Sequence, residues 1–226
     1  MSDVDFWAPI WLSLKVMALA GILVFVIGVW AAWRMNGARF RGKTLLETAM
    51  MLPLVLPPTV IGFFLLIAFG RRSWAGQAIE WLFGQPIVFT WAAAVVAAVT
   101  VAFPLVYQTA KSGFASVDPD LIAAARSFGA DDRQLLRYVL LPLSARALVS
   151  AYILGFARGL GEFGATLMFA GNIPGRTQTI PTAIYLAVES GNTAAAWAWC
   201  IAIVAISFVL LLIAGRRQSG TINKNA

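Results

Sequence analysis

Five stretches of this chain, at 10–33, 45–69, 90–110, 148–170 and 195–214, are apolar and long enough to cross a bilayer. A crossing takes roughly 20 mostly apolar residues of helix. Inside lipid each backbone amide must find its partner within its own segment, so each stretch is expected as a helix and the chain as an all-α polytopic membrane protein. With 60% apolar and 12% charged residues, the composition excludes an ordinary soluble domain. The first stretch follows Asp3 and Asp5 rather than a basic start, its apolar run is too long for a secretory signal, and no cleavage site follows it, so it is expected to be a retained span.

The net charge of +7 does not point to nucleic acid, because the basic residues alternate between the connections. Arg34, Arg39, Arg41 and Lys43 fill the first; Lys111, Arg126, Arg133, Arg137 and Arg146 lie in the third; Arg216, Arg217 and Lys224 sit in the tail, 216–226. Arg71, Arg72 and Arg176 are the basic residues of the other two. Positive connections stay in the cytoplasm, which predicts five crossings with the N-terminus outside and the C-terminus inside.

The first connection contains GARFRGKT, which matches the phosphate-loop pattern at each specified position. That pattern holds phosphate only when a buried strand feeds the loop and a helix leaves it. A membrane helix precedes it here and no second strand with a metal-binding Asp follows, so Lys43 is read as a topological charge. Histidine is absent, and the lone cysteine, Cys200, lies inside the last stretch. Metal sites, His-based acid/base chemistry and an intrachain disulfide lose their usual residues. No cofactor is expected on this chain.

The second stretch carries Pro53, Pro57, Pro58 and Gly62, which free backbone carbonyls and bend a helix. Pro57 and Pro58 are candidates either for a packing kink or for a gate. Trp74, Trp81 and Trp91, at and around the second connection, are expected as interfacial anchors. The third connection, 111–147, is long and has helical periodicity. Asp118-Pro119-Asp120 supplies a helix start, LIAAARSF favours helix, and Gly129 stands where a C′ glycine ends one. A second helix follows from about Asp131. The short helix bears Ala123, Ala124 and Ala125, which suits either a docking surface for another protein or a helix lying on lipid headgroups.

Residues 123–142, AAARSFGADDRQLLRYVLLP, resemble the coupling loop of ATP-binding-cassette importer permeases. That loop reads E-A-A-x-x-x-G followed by an apolar position and Leu-Pro; Ala124, Ala125, Gly129, Leu141 and Pro142 match it. Ala123 stands where the family has Glu, leaving Asp120 or Asp131 to supply a carboxylate. LPLVLPPTVIGFFLLIAFGRR and ARGLGEFGATLMFAGNIPGRTQTIPTAIY resemble the molybdate branch of type I importer permeases, and the likeness runs from Trp11 to Arg217. It implies a type I permease domain over 10–215 with a cytoplasmic coupling helix, in a bacterial inner membrane. It also implies a homodimer, two cytoplasmic ATPase subunits that carry ATP and Mg, and an extracytoplasmic molybdate-binding protein. Molybdate, with tungstate as near-isostere, is the expected cargo, and sulfate or thiosulfate the alternative. A non-transporting scaffold and a membrane-bound nucleotide enzyme are the readings of another class.

Glu162 is the acidic residue well inside a predicted span, and Arg158 precedes it by one helical turn. The two are expected either to neutralise each other or to meet the substrate. Gly164 and Thr166 complete the candidate path residues, in a Gly-rich segment that allows close helix packing.

Overall fold

The computed structural model describes residues 5–219, with side chains as far as Leu212. Asp3, Lys224 and the end of the predicted tail lie outside the described residues. Among them every regular element is a helix. Three are long and apolar enough to cross a membrane: α1 (Trp7–Asn36), α5 (Trp91–Ala115) and α12 (Thr193–Ser219). Between α1 and α5 come α2 (Lys43–Val55), α3 (Pro58–Phe69) and α4 (Trp74–Phe83). After α5 come α6 (Pro119–Ser127), α7 (Asp132–Leu135), a π-helical turn at Leu136–Leu140, and α8 (Leu141–Leu143). Next are α9 (Ala145–Leu160), α10 (Gly164–Phe169) and α11 (Ile180–Glu189).

Two expectations need correction. The second apolar stretch is not one kinked span, because α2 and α3 meet at 117°. Leu56 and Pro57 are extended and Pro58 opens α3, since proline removes a donor and disfavours helix in the residue before it. The fourth stretch is not continuous either: α9 stops at Leu160, residues 161–163 are irregular, and α10 restarts at Gly164. Counting α2 with α3 as one span, and Asp132–Leu143 with α9, from which it bends by 78°, as another, raises the crossings from 3 to at most 5.

The core forms where small residues let backbones approach. α5 lies between α1 and α9, and Val106 marks the seam. A Cβ on Gly28 would fall 2.7 Å from the Val106 side chain, and one on Gly155 only 2.3 Å from it. No larger residue fits either place, so glycine sets the spacing here. Near the opposite end of the same seam Gly159 packs on Met17 and Ala98, and Ala93, Ala94, Ala97 and Ala98 are fully covered.

These contacts also fix direction. Met17 lies level with Ala98 and Gly28 with Val106, so α1 and α5 run parallel, while Gly155 at Val106 and Gly159 at Ala98 make α9 antiparallel. Phe6 stacks on Trp199 near the start of α12, so α12 starts at the same end of the bundle as α1. The fold thus gathers the basic connections at 37–42 and 111–147 at one end and the sparsely basic ones at the other.

Candidate functional site

The break between α9 and α10 is held open by Glu162. Its side chain is 2% exposed, and both oxygens are occupied: Arg158 Nη1 donates to Oε2 at 2.9 Å and the Ala165 amide donates to Oε1 at 2.8 Å. The second bond satisfies one of the orphan amides that a helix start leaves. Arg158 remains 30% exposed, so its guanidinium, unlike the carboxylate, has donors to offer. Thr166 is buried beside Glu162, next to Ser13 and Thr179, around a space of about 10 Å³.

Across from this break lies the other one. A Cβ on Gly164 would meet Pro58 Cβ at 3.0 Å, and one on Gly62 would meet the Ala165 carbonyl at 2.9 Å. The start of α3 therefore rests directly on the start of α10. Pro58, far away in sequence, is drawn to the segment of Arg158, Glu162 and Gly164 at two adjacent helix breaks; Pro57 caps α3 at the same point.

At the basic end, α6 is built to be rigid and open. The Asp118 side chain accepts from the Asp120 amide at 2.9 Å, and Pro119 occupies the first turn. Gly129 adopts φ +86°, its amide bonds the Arg126 carbonyl at 2.9 Å, and the Ala130 amide bonds the Ala125 carbonyl at 3.0 Å. This paired closure is the Schellman arrangement, which needs a left-handed residue. α7 then starts on a capping box in which Asp131 and Gln134 exchange bonds at 2.7 and 2.9 Å. Asp120, Ala123, Ala124 and Ser127 form one exposed stripe at helical spacing, and Phe128, 92% exposed, stands at its end. Ala125 and Leu141 turn instead toward the core, and Pro142 is exposed.

Residues 24–219 match the family model of the binding-protein-dependent transport system inner membrane component. The chain belongs to this family. It is 54% identical to YvgM of Bacillus subtilis (strain 168), described provisionally as a molybdenum transport system permease protein, over 97% of this chain and 96% of that one. It is 40% identical to the molybdenum transport system permease protein ModB of Escherichia coli (strain K12), over 92% and 91% of the two chains. In fold, this inner membrane component is similar to a chain of the MetNI methionine ABC transporter in an inward-facing conformation, with TM-score 0.74, 20% identity, and 96% and 97% of the chains covered. It is also similar to a chain of a bacterial ABC transporter that imports alginate, with TM-score 0.75 at 15% identity over 96% of this chain and 79% of the other. The fold is that of type I importer permeases.

One polar cluster of this inner membrane component escaped the sequence reading. Glu47 in α2 accepts from Lys111 Nζ at 2.5 Å and from the Tyr107 hydroxyl at 3.1 Å, both on α5. It ties an arm that buries no residue of its own to the central helix. Glu47 and Lys111 stand 64 positions apart, so no local spacing announces the pair. The GARFRGKT segment joins α1 to α2, with no strand before it, and Lys43 donates to the Ala38 carbonyl at 3.0 Å within its own loop.

Proposed function

We infer that this chain is the permease subunit of an ATP-driven importer that carries molybdate, and tungstate with it, across a bacterial cytoplasmic membrane. Near full-length identity to proteins named for molybdenum transport carries this reading. Two copies form the pore, two cytoplasmic ATPase subunits carrying ATP and Mg sit at the basic end, and an extracytoplasmic binding protein delivers the anion at the other. Hydrolysis belongs to the ATPases, and this chain transmits it.

The geometry of the coupling segment supports a route for that transmission. The stripe of Asp120, Ala123 and Ala124 is the ATPase contact. Asp131 is committed to its capping box, so Asp120 is the carboxylate that stands in for the family's Glu at Ala123. Movement of α6 passes through α7 and α8 to Ser144, whose hydroxyl holds the Gly113 carbonyl at 2.9 Å, and so reaches α5 and α9 together. The far end of α9 carries Arg158, Glu162 and the break that faces Pro58. A rigid α9 thus joins the ATPase contact to the two helix breaks, which form the gate region. Arg158 is the cation there that meets a passing dianion, while Glu162 holds the break.

The test is uptake of labelled molybdate by cells with and without this chain, in a strain lacking other molybdate routes. Loss of uptake on deletion, competition by tungstate and indifference to equal sulfate are expected. Equal competition by sulfate overturns the cargo, and unchanged uptake on deletion overturns the function.

A further inference from the structure

At the end opposite α6, a cleft of about 440 Å³ opens between α4, the start of α5 and the segment before α11. Most of its wall is apolar, including Ile79 and Phe83 of α4, Ile87 and Trp91. Arg176 is the one charged residue on that wall, and no carboxylate lines it. Among the described residues Arg176 takes part in no ion pair, whereas Arg71, just before α4, is paired with Glu80. A second cation stands beside one residue of that wall: Lys15 Nζ lies 4.0 Å from the centre of the Trp91 ring. Lys15 is exposed and starts about 12 Å along α1, so its stem reaches back toward the helix end to bring the ammonium level with the first residue of α5.

The rim is held in a conformation that a side chain rarely adopts. Phe89 has φ +60°, the single positive value outside glycine among the described residues, and its amide bonds the Phe169 carbonyl at 3.2 Å. Such strain persists only where surrounding structure imposes it, and it gathers at binding sites. Outside the cleft, Trp74 and Trp81 are 83% and 86% exposed. Exposed tryptophans beside the end of a spanning helix mark the headgroup level of a bilayer.

We propose that this cleft binds an anionic phospholipid, its phosphate on Arg176 with Lys15 as the second cation, and its first acyl carbons along Ile79, Phe83 and Ile87. The chemistry fits each part: an unpaired guanidinium takes a phosphate in two parallel bonds, and an apolar wall takes an acyl chain. A soluble anion finds no use for that wall. The site anchors α4 and, through Phe89, the end of α10, so it steadies the second helix break from outside. The inference rests on the membrane spans and not on the cargo.

The purified permease is prepared in nanodiscs of phosphatidylglycerol or phosphatidylcholine, released into mild detergent, and the retained lipid counted by native mass spectrometry. The expected result is one phosphatidylglycerol retained per chain and little phosphatidylcholine. Arg176→Gln should lower retention about tenfold, as loss of a charged hydrogen bond does, Lys15→Gln should lower it less, and Arg176→Lys should restore part of it. Equal retention of both lipids by the unaltered protein overturns the site. So does unchanged phosphatidylglycerol in Arg176→Gln, and if that variant instead loses capture of the extracytoplasmic binding protein, the cleft receives a protein carboxylate. Molybdate uptake plays no part in the count, so failure of the cargo assignment leaves this result intact.

Discussion

Glu162 binds Arg158 with one oxygen and starts α10 with the other, which makes it a structural carboxylate in the proposed path of a dianion. Removing Arg158 alone leaves a buried, unpaired carboxylate. Arg158→Ala should therefore cost on the order of 3 kcal/mol in assembly. The double variant with Glu162→Ala should be less harmful to assembly than either single change, because no uncompensated charge is left in the membrane. A double-mutant cycle on assembled complex, read beside uptake, measures this; simple additivity rules out the pairing. Lys43 is a contrasting case. Its ammonium bonds the Ala38 carbonyl, so Lys43→Ala should leave ATP hydrolysis by the assembled complex largely intact. Complete loss of hydrolysis in a correctly inserted variant contradicts that.

Two helical elements depend on single glycines for opposite reasons. At Gly129 the issue is backbone angle: φ +86° suits glycine, and a β-branched residue there costs about 1–2 kcal/mol and opens the closure that ends α6. No atom crowds that position, so insertion and packing should be untouched while the contact surface shifts. Gly129→Val is expected to lower uptake and substrate-stimulated ATPase activity well below its effect on membrane level. Normal flux with normal stimulation in that variant removes α6 from the coupling role. At Gly155 the issue is space. A Cβ would lie 2.3 Å from Val106, so Gly155→Val should force α9 off α5 and cost about 1–3 kcal/mol, seen as a lower melting temperature in detergent. Val106→Ala should recover part of the loss.

For the whole molecule, parallel α1 and α5 with antiparallel α9 put the densely basic connections at one end. That polarity makes a labelling prediction. In a Cys200→Ser background, Thr44→Cys should react with an impermeant thiol reagent only after cells are opened, and Gln77→Cys should react in intact cells. Both side chains are exposed, so a silent position reflects sidedness and not burial. The reverse pattern turns the topology over. The same polarity puts the exposed stripe on α6 and the cleft beside α4 at opposite ends of the molecule.

Helix content, the basic end, the start and stop of α6 and the Arg158–Glu162 pair were all legible in the chain, because each rests on interactions between residues a few positions apart. Hydrophobic length, a proline or glycine at a helix end and an i,i+4 charge pair need no knowledge of what lies opposite. The 117° bend, the interruption at 161–163, the link from Glu47 to Lys111 and the meeting of Pro58 with Gly164 were not legible. Proline marks where a helix is weakened but not how far it turns; that is set by which helix packs against it, here α10 against α3. Glu162 likewise reads as an ordinary helical position until its carboxylate is seen capping the next helix. The tertiary structure alone decided these features, since a break in lipid survives only where neighbouring segments satisfy the backbone groups it frees.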